Sequence, residues 1–210
     1  LVFSSILDCD VEADALIDFS TPKILDDLLA YCEEKGLPAV LCTTGYDEAQ
    51  LEKIEGAAEK IAVLKAANMS LGVNTLLHLI RKAAKVFAPE GFDIEIVEKH
   101  HNQKLDAPSG TALALADSVN EAMDGQYEYI YDRSQRREKR GKKELGISSV
   151  RGGTIVGEHD VIFAGEDEVI TFSHTAYSKA VFAKGAVAAA KFLTGKKNGR
   201  FDMADVIAAK

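Results

Sequence analysis

From Asp14 to Leu64, short apolar runs alternate with longer amphipathic stretches. Asp14 to Phe19, Pro38 to Cys42 and Ile61 to Leu64 read as strands. Ser20-Thr21-Pro22 caps a helix that runs to about Lys35, with Gly36 as its stop. Asp47 and Gln50 form a capping-box pair opening a helix to about Glu59, and a third helix spans about Leu71 to Phe87. Strands alternating with such helices predict right-handed crossovers and a parallel sheet, so the class is α/β. Ligands bind beyond the carboxyl ends of the strands in these sheets. Here those ends carry Ser20-Thr21, Thr43-Thr44-Gly45 and Ala67-Asn68-Met69, each an ordinary turn when taken alone.

Past Gly91 the apolar period drops to two. Phe92, Ile94, Ile96, Glu98 and His100 share one face of a strand, and Glu95, Val97, Lys99 and His101 the other. Thr111 to Met123 is rich in helix formers, and Tyr127 to Tyr131 follows. Arg133 to Lys143 carries seven basic side chains against one glutamate and reads as a solvated, mobile loop, with local attraction of an anionic substrate as the alternative. Four strands are expected at Ile147 to Gly153, Thr154 to Val156, His159 to Phe163 and Glu168 to His174, giving a largely antiparallel or mixed sheet. Tyr177 to Leu193 returns to helix with a face of small residues, and Gly195 ends it.

Composition narrows the classes. The 210 residues are 47% hydrophobic and carry a formal charge of -8, which argues against general nucleic-acid binding. No run approaches the roughly 20 apolar residues of a membrane helix, and the start lacks the basic-then-apolar order of a signal peptide. Cys9, Cys32 and Cys42 are odd in number and have no metal-type spacing, so a reducing cytoplasm is expected. The chain opens on Leu1 rather than methionine, which suggests that a preceding stretch is missing.

The chemistry concentrates between Glu98 and Thr111. Adjacent histidines on a strand point different ways, so one can face a pocket while a second shell holds its neighbour. A histidine with an ordinary pKa near 6.5 suits proton transfer at neutral pH, and Lys104 is a compact cation able to pair with an anion or deliver a proton. Ser109 reads as an N-cap, and the free amides of a helix start, with the Thr111 hydroxyl beside them, suit a carboxylate or phosphate. A metal hydrolase using His100 and His101 with His159 or His174 is a further reading, although no companion ligand spacing stands out. The metal expectation is therefore none.

The run Glu-x-His-His-x-x-Lys-x-Asp-Ala-Pro-Ser-Gly-Thr-Ala from Glu98 closely resembles the signature of the dihydrodipicolinate reductases of lysine and diaminopimelate biosynthesis. Asp18-Phe19-Ser20, Thr43-Thr44-Gly45, the Asn68 to Asn74 segment, Ser149 to Gly153, Val156 to His159 and Phe163 to Glu166 resemble further family segments in family order. The resemblance implies an oxidoreductase that passes hydride from NADH or NADPH to a small cyclic dicarboxylate with loss of water. His100 matches the proton donor or acceptor and Lys104 the proton donor; His101, Ser109, Gly110 and Thr111 match the substrate site. Cys42, Thr43 and Thr44 match one cofactor loop and Ala66, Ala67, Asn68 and Met69 the other, with Lys179 a further cofactor position. The implied fold is a partial Rossmann-type parallel-sheet domain, residues 1–68 and 177–210, around an α+β substrate domain, residues 69–176, whose mixed or antiparallel sheet builds a homotetramer.

Three departures from the pattern stand out. The family's opening glycine-rich dinucleotide fingerprint does not occur in these 210 residues, Cys42 replaces a usual glycine, and Lys179 replaces a usual arginine. Lysine keeps the charge but loses the planar fork. A shortened paralogue that binds a dicarboxylate or assembles without productive cofactor binding is the competing expectation.

Overall fold

The computed structural model describes residues 2–209, and the chain divides into two compact units, one running to residue 71 and resuming at 180, the other covering Gly72–Lys179. Leu1 and Lys210, the outer limits of the expected nucleotide domain, lie outside the described residues.

The first unit is a parallel sheet ordered β1 (Leu16–Asp18), β2 (Ala39–Leu41), β3 (Ala62–Lys65) and β9 (Gly199–Phe201). Alternation along β2 splits the core in two. Ala39 and Leu41 pack with Leu25, Leu28 and Cys32 of α1 (Leu25–Lys35) and Ile54 of α2 (Glu48–Ala58). Val40 packs on the other side with Ala186, Ala189 and Leu193 of α5 (Ala180–Leu193) and with Val206 of α6 (Met203–Ala208). Thr21 caps a 3-10 turn, Pro22–Ile24, before α1 begins; Gly36, at φ 61°, supplies the left-handed stop. The Asp47–Gln50 capping box is formed in both directions. Strand β9 and helix α6 carry no counterpart in the apolar pattern, because three and six residues are too short to establish a period.

The second unit orders its sheet β5 (Glu128–Ile130), β6 (Glu144–Arg151), β4 (Asp93–His100), β7 (Gly157–Ala164) and β8 (Val169–Ala176). It is mixed: β4 and β5 run parallel to β6, and β7 runs antiparallel to both β4 and β8. The inner face, with Ile94, Ile96, Ile147, Val161 and Phe163, is covered by α3 (Leu71–Phe87) and α4 (Gly110–Ala122) through Leu76, Ile80, Leu115 and Val119.

Three expectations are corrected here. Thr154 to Val156 forms no strand, a turn at Gly153 and Thr154 leading straight into β7, so three long strands replace four. The C-terminal helix starts at Ala180, not Tyr177. The basic stretch is exposed over most of its length, as expected of a solvated loop, but it is tied down at two points: Arg140 reaches Asp93 at 2.7 Å, Glu95 at 2.9 Å and the Ile94 carbonyl at 3.1 Å, while Arg133 pairs with Glu144. Counting charges along the loop missed the acids that wait on the neighbouring strands.

Candidate active site

Strand β4 alternates half-buried and buried positions through to His100, so its period of two delivers Glu98 and His100 into the inner face beyond the apolar core. Glu98 is fully buried. Such a carboxylate is stable only with charge and hydrogen-bond partners, and β6, paired alongside, supplies them. Arg151 donates from Nη2 to Oε1 at 2.7 Å and from Nη1 to Oε2 at 2.8 Å. His100 Nδ1 lies 2.5 Å from Oε2, and the Ser109 amide donates to Oε1 at 3.1 Å. Burial pushes the Glu98 carboxyl up, but hydrogen bonds from Arg151, Ser149, His100 and Ser109 outweigh it and hold the pKa down to about 2.

Beyond β4 the chain crosses a loop into α4. Arg151 Nη2 also donates to the Asp106 carbonyl at 2.6 Å, and the Gly152 amide to the His100 carbonyl at 2.9 Å. Lys104 Nζ lies 2.8 Å from the Asp106 carboxylate, whose pKa is lowered first by Lys104 and, in smaller part, by the Gly110 amide. Ser109 is the N-cap of α4, its Oγ accepting from the Ala112 amide at 3.1 Å. Gly110 and Thr111 form the first turn, and His101 sits half-buried on the loop.

His159 of β7 joins the cluster from the opposite strand, its register partner on β4 being Glu98. Its Nε2 is 3.0 Å from Ser109 Oγ, and its ring stands edge-on to His100 at 5.1 Å. Burial, reinforced by the nearby His100, lowers the His159 pKa to about 4, so the ring is neutral at pH 7. A Cβ on Gly157 would stand 3.0 Å from His100 Nε2, so glycine leaves that nitrogen room. His174, the cross-strand partner of His159, completes the row, and burial lowers its pKa. No group of three or more His, Cys, Asp or Glu able to hold a metal occurs among the described residues.

The other expected positions lie in the first unit, except Lys179, which is exposed at the end of the second. The parallel register brings Asp18, Leu41 and Lys65 level, so Cys42-Thr43-Thr44 and Ala66 to Met69 leave the same sheet edge. Asp18 organises it. Its carboxylate accepts from the Ser20 hydroxyl and, at 3.2 Å, from Tyr46, while its carbonyl accepts from the Cys42 amide at 2.9 Å. Thr43 Oγ1 accepts from the Ser20 amide at 2.9 Å, and Asn68 Oδ1 from the Ser70 amide at 2.8 Å. Burial, then Asp18, pushes the Cys42 thiol up to about 12, so it stays protonated. Gly185 of α5 lies against the Met69 backbone, where any side chain would collide.

The expected residues thus fall into a cluster from His100 to Thr111 and a pair of strand-end loops. Arg151 and Gly157 were given no role in the sequence-based site, and His159 only one in the metal reading. One signal was available: the alternation that placed His100 on the inner face placed Glu98 there too, and a buried glutamate demands a cation.

Two family models account for the chain: "Dihydrodipicolinate reductase, N-terminus" matches residues 1–69 and "Dihydrodipicolinate reductase, C-terminus" residues 72–207. The chain is 51% identical over 206 residues to the 4-hydroxy-tetrahydrodipicolinate reductase of Caldanaerobacter subterraneus subsp. tengcongensis, covering 98% of this chain and 81% of that relative. To the enzyme of the same name from Clostridium novyi it is 48% identical over 210 residues, or 100% of this chain and 82% of the relative. Among solved structures, a dipicolinate-bound dihydrodipicolinate reductase from Paenisporosarcina sp. TG-14 superposes with a TM-score of 0.73 at 26% identity, over 90% of this chain and 71% of that one.

Proposed function

Because the chain belongs to the dihydrodipicolinate reductase family, we propose that it reduces 4-hydroxy-tetrahydrodipicolinate to tetrahydrodipicolinate in lysine and diaminopimelate biosynthesis. One hydride and one proton are taken up and water leaves. NADH or NADPH supplies the hydride when bound. Cys42, Thr43 and Thr44 with Ala66, Ala67, Asn68 and Met69 are the residues of this chain that hold the dinucleotide, at the strand ends where parallel sheets take such ligands, and Lys179 adds a cation.

In the second unit, His100 and Lys104 handle protons, while His101, Ser109, Gly110 and Thr111 receive a substrate carboxylate. The observation that carries this reading is a carboxylate already seated there: Asp106 pairs with Lys104 at 2.8 Å, with the Gly110 amide contributing. It stands in for the anion that the substrate brings. A dicarboxylate needs its charge met by cations and helix-start amides, and both are within this loop.

The outer face of the five-stranded sheet, with Val150 and Val169 exposed, supports a homotetramer, to be read by light scattering as four times 22.7 kDa. Among the described residues no helix is long and apolar enough to cross a membrane, and the cytoplasm is the compartment this pathway role calls for.

Calorimetric titration with NADH, with and without pyridine-2,6-dicarboxylate, tests both ligands. Lys104→Ala is expected to cut turnover by about 100-fold or more while leaving NADH affinity near its starting value. Thr111→Val mainly weakens dicarboxylate binding. Equal losses of NADH affinity in both variants defeat the assignment of the substrate site, and absence of NADH binding by the full-length gene product favours the non-catalytic paralogue.

A further inference from the structure

The buried Glu98 does more than pair with the half-buried Arg151. Each of its oxygens makes one contact to Arg151 and one to a different part of the candidate site: Oε2 to His100 Nδ1 at 2.5 Å, Oε1 to the Ser109 amide at 3.1 Å. We propose that Glu98, gripped by Arg151, is the positioning residue that registers His100 and the Ser109 helix start to a single carboxylate, holding His100 with its proton on Nδ1 and Nε2 bare. The proposal rests on the reductase reading for what the bare nitrogen then does.

Three observations support it. The carboxylate is acceptor-only while ionised, and its depressed pKa keeps it ionised, so the nitrogen facing it must carry hydrogen. The opposite nitrogen, Nε2, lies beside Gly157, the one residue type that leaves it space. Flipping the ring by half a turn would put a carbon against Oε2 and lose the charge-assisted bond, so the orientation is locked as well as the tautomer. Stability alone does not explain the arrangement, because a buried ion pair is often replaceable by apolar residues at no loss. Its contacts are with the groups that handle the proton and the anion.

Glu98→Gln separates positioning from folding. Each oxygen faces two donors, but only His100 can become an acceptor, by changing tautomer; the amide oxygen of glutamine therefore stays with Arg151 Nη2 and the Ser109 amide, its NH2 faces His100, and Arg151 Nη1 keeps the Val150 carbonyl at 2.8 Å as its acceptor. His100 Nδ1 then becomes the acceptor and the proton moves to Nε2. The expected loss in kcat is about 100-fold or more, as for carboxylate-to-amide changes beside a catalytic histidine, with the KM for substrate changing far less.

The tautomer is read by long-range proton–nitrogen NMR of histidine-labelled full-length protein, at alkaline pH where the rings are neutral, the His100 signal being identified by its loss in His100→Asn. Protein with Glu98 intact is expected to show Nδ1–H, and Glu98→Gln to show Nε2–H. An Nε2–H ring in unaltered protein overturns the proposal, as does Glu98→Gln with unchanged tautomer or full kcat. If that variant fails to fold, the unaltered protein still decides. Absence of dicarboxylate-dependent NADH oxidation alongside an Nδ1–H ring would instead sink the reductase reading and leave the positioning intact.

Discussion

Gly185→Ala is the sharpest test of how the first unit is packed. Its new Cβ would stand 2.7 Å from the Met69 carbonyl carbon, with the carbonyl oxygen nearer still. Carbon atoms in contact sit about 3.5–4.0 Å apart, so one side must move by roughly 1 Å. The obstacle is backbone, not a side chain that can rotate away. Overpacking of this kind costs about 1–3 kcal/mol, and a backbone obstacle argues for the upper end. At about 2–4 °C per kcal/mol for a chain of this size, the midpoint of thermal unfolding should fall by about 6–12 °C. Gly56→Ala in α2 is the control. It meets nothing within 4 Å at an ordinary helical φ, and should stabilise by about 0.5–1 kcal/mol. Circular dichroism melts of both variants decide the packing, and NADH titration by fluorescence decides the function, since displacing Met69 disturbs the 66–69 loop. A Gly185→Ala midpoint at or above that of the unaltered protein would refute the close approach. Unchanged NADH affinity despite a lowered midpoint would remove Met69 from the cofactor site.

Acid should unfold the second unit in two overlapping windows. His159, lowered from 6.5 to about 4, takes up its proton more readily when unfolded, so stability falls as pH drops from about 6.5 to about 4, by about 3 kcal/mol in all. Glu98, lowered from 4.5 to about 2, contributes about 3 kcal/mol that is complete above pH 4.5 and lost as pH falls toward about 2. Urea midpoints measured from pH 8 to pH 3 check both; His159→Gln should flatten the upper window, and a slope there that survives the substitution contradicts the assignment. Asp106→Asn removes the charge now paired with Lys104, so pyridine-2,6-dicarboxylate should bind about two- to fivefold tighter by calorimetry, whereas weaker binding would show that Asp106 shapes the loop and does not compete for the cation.

Periodicity captured the large elements because their burial is regular. Leu71 to Phe87 spans more than four turns with one apolar face, and β4 alternates through eight residues without a break. Ser109 was legible as an N-cap because capping chemistry is local. Arg140 was not. Its partners Asp93, Glu95 and the Ile94 carbonyl lie 45 to 47 residues away, and nothing in a basic run says which acids it will meet. Arg151 escaped notice for the same reason, as its pairing with Glu98 exists only once β6 lies beside β4 in parallel register. His159 needed the antiparallel β4–β7 pairing to face Glu98. The candidate site was therefore readable along the chain and unreadable across it.

Arg151 grips both Glu98 and the Asp106 carbonyl, 53 and 45 residues upstream. A nascent chain emerging from the ribosome holds the whole His100 to Thr111 loop long before it holds Arg151. Closing so long a loop is entropically costly and comes late in folding, after the helices that form from neighbours in sequence. The loop's working geometry is thus a report on completed assembly of the sheet: intermediates with α3 and α4 formed but β6 undocked would carry every reactive side chain and no reaction-ready arrangement of them.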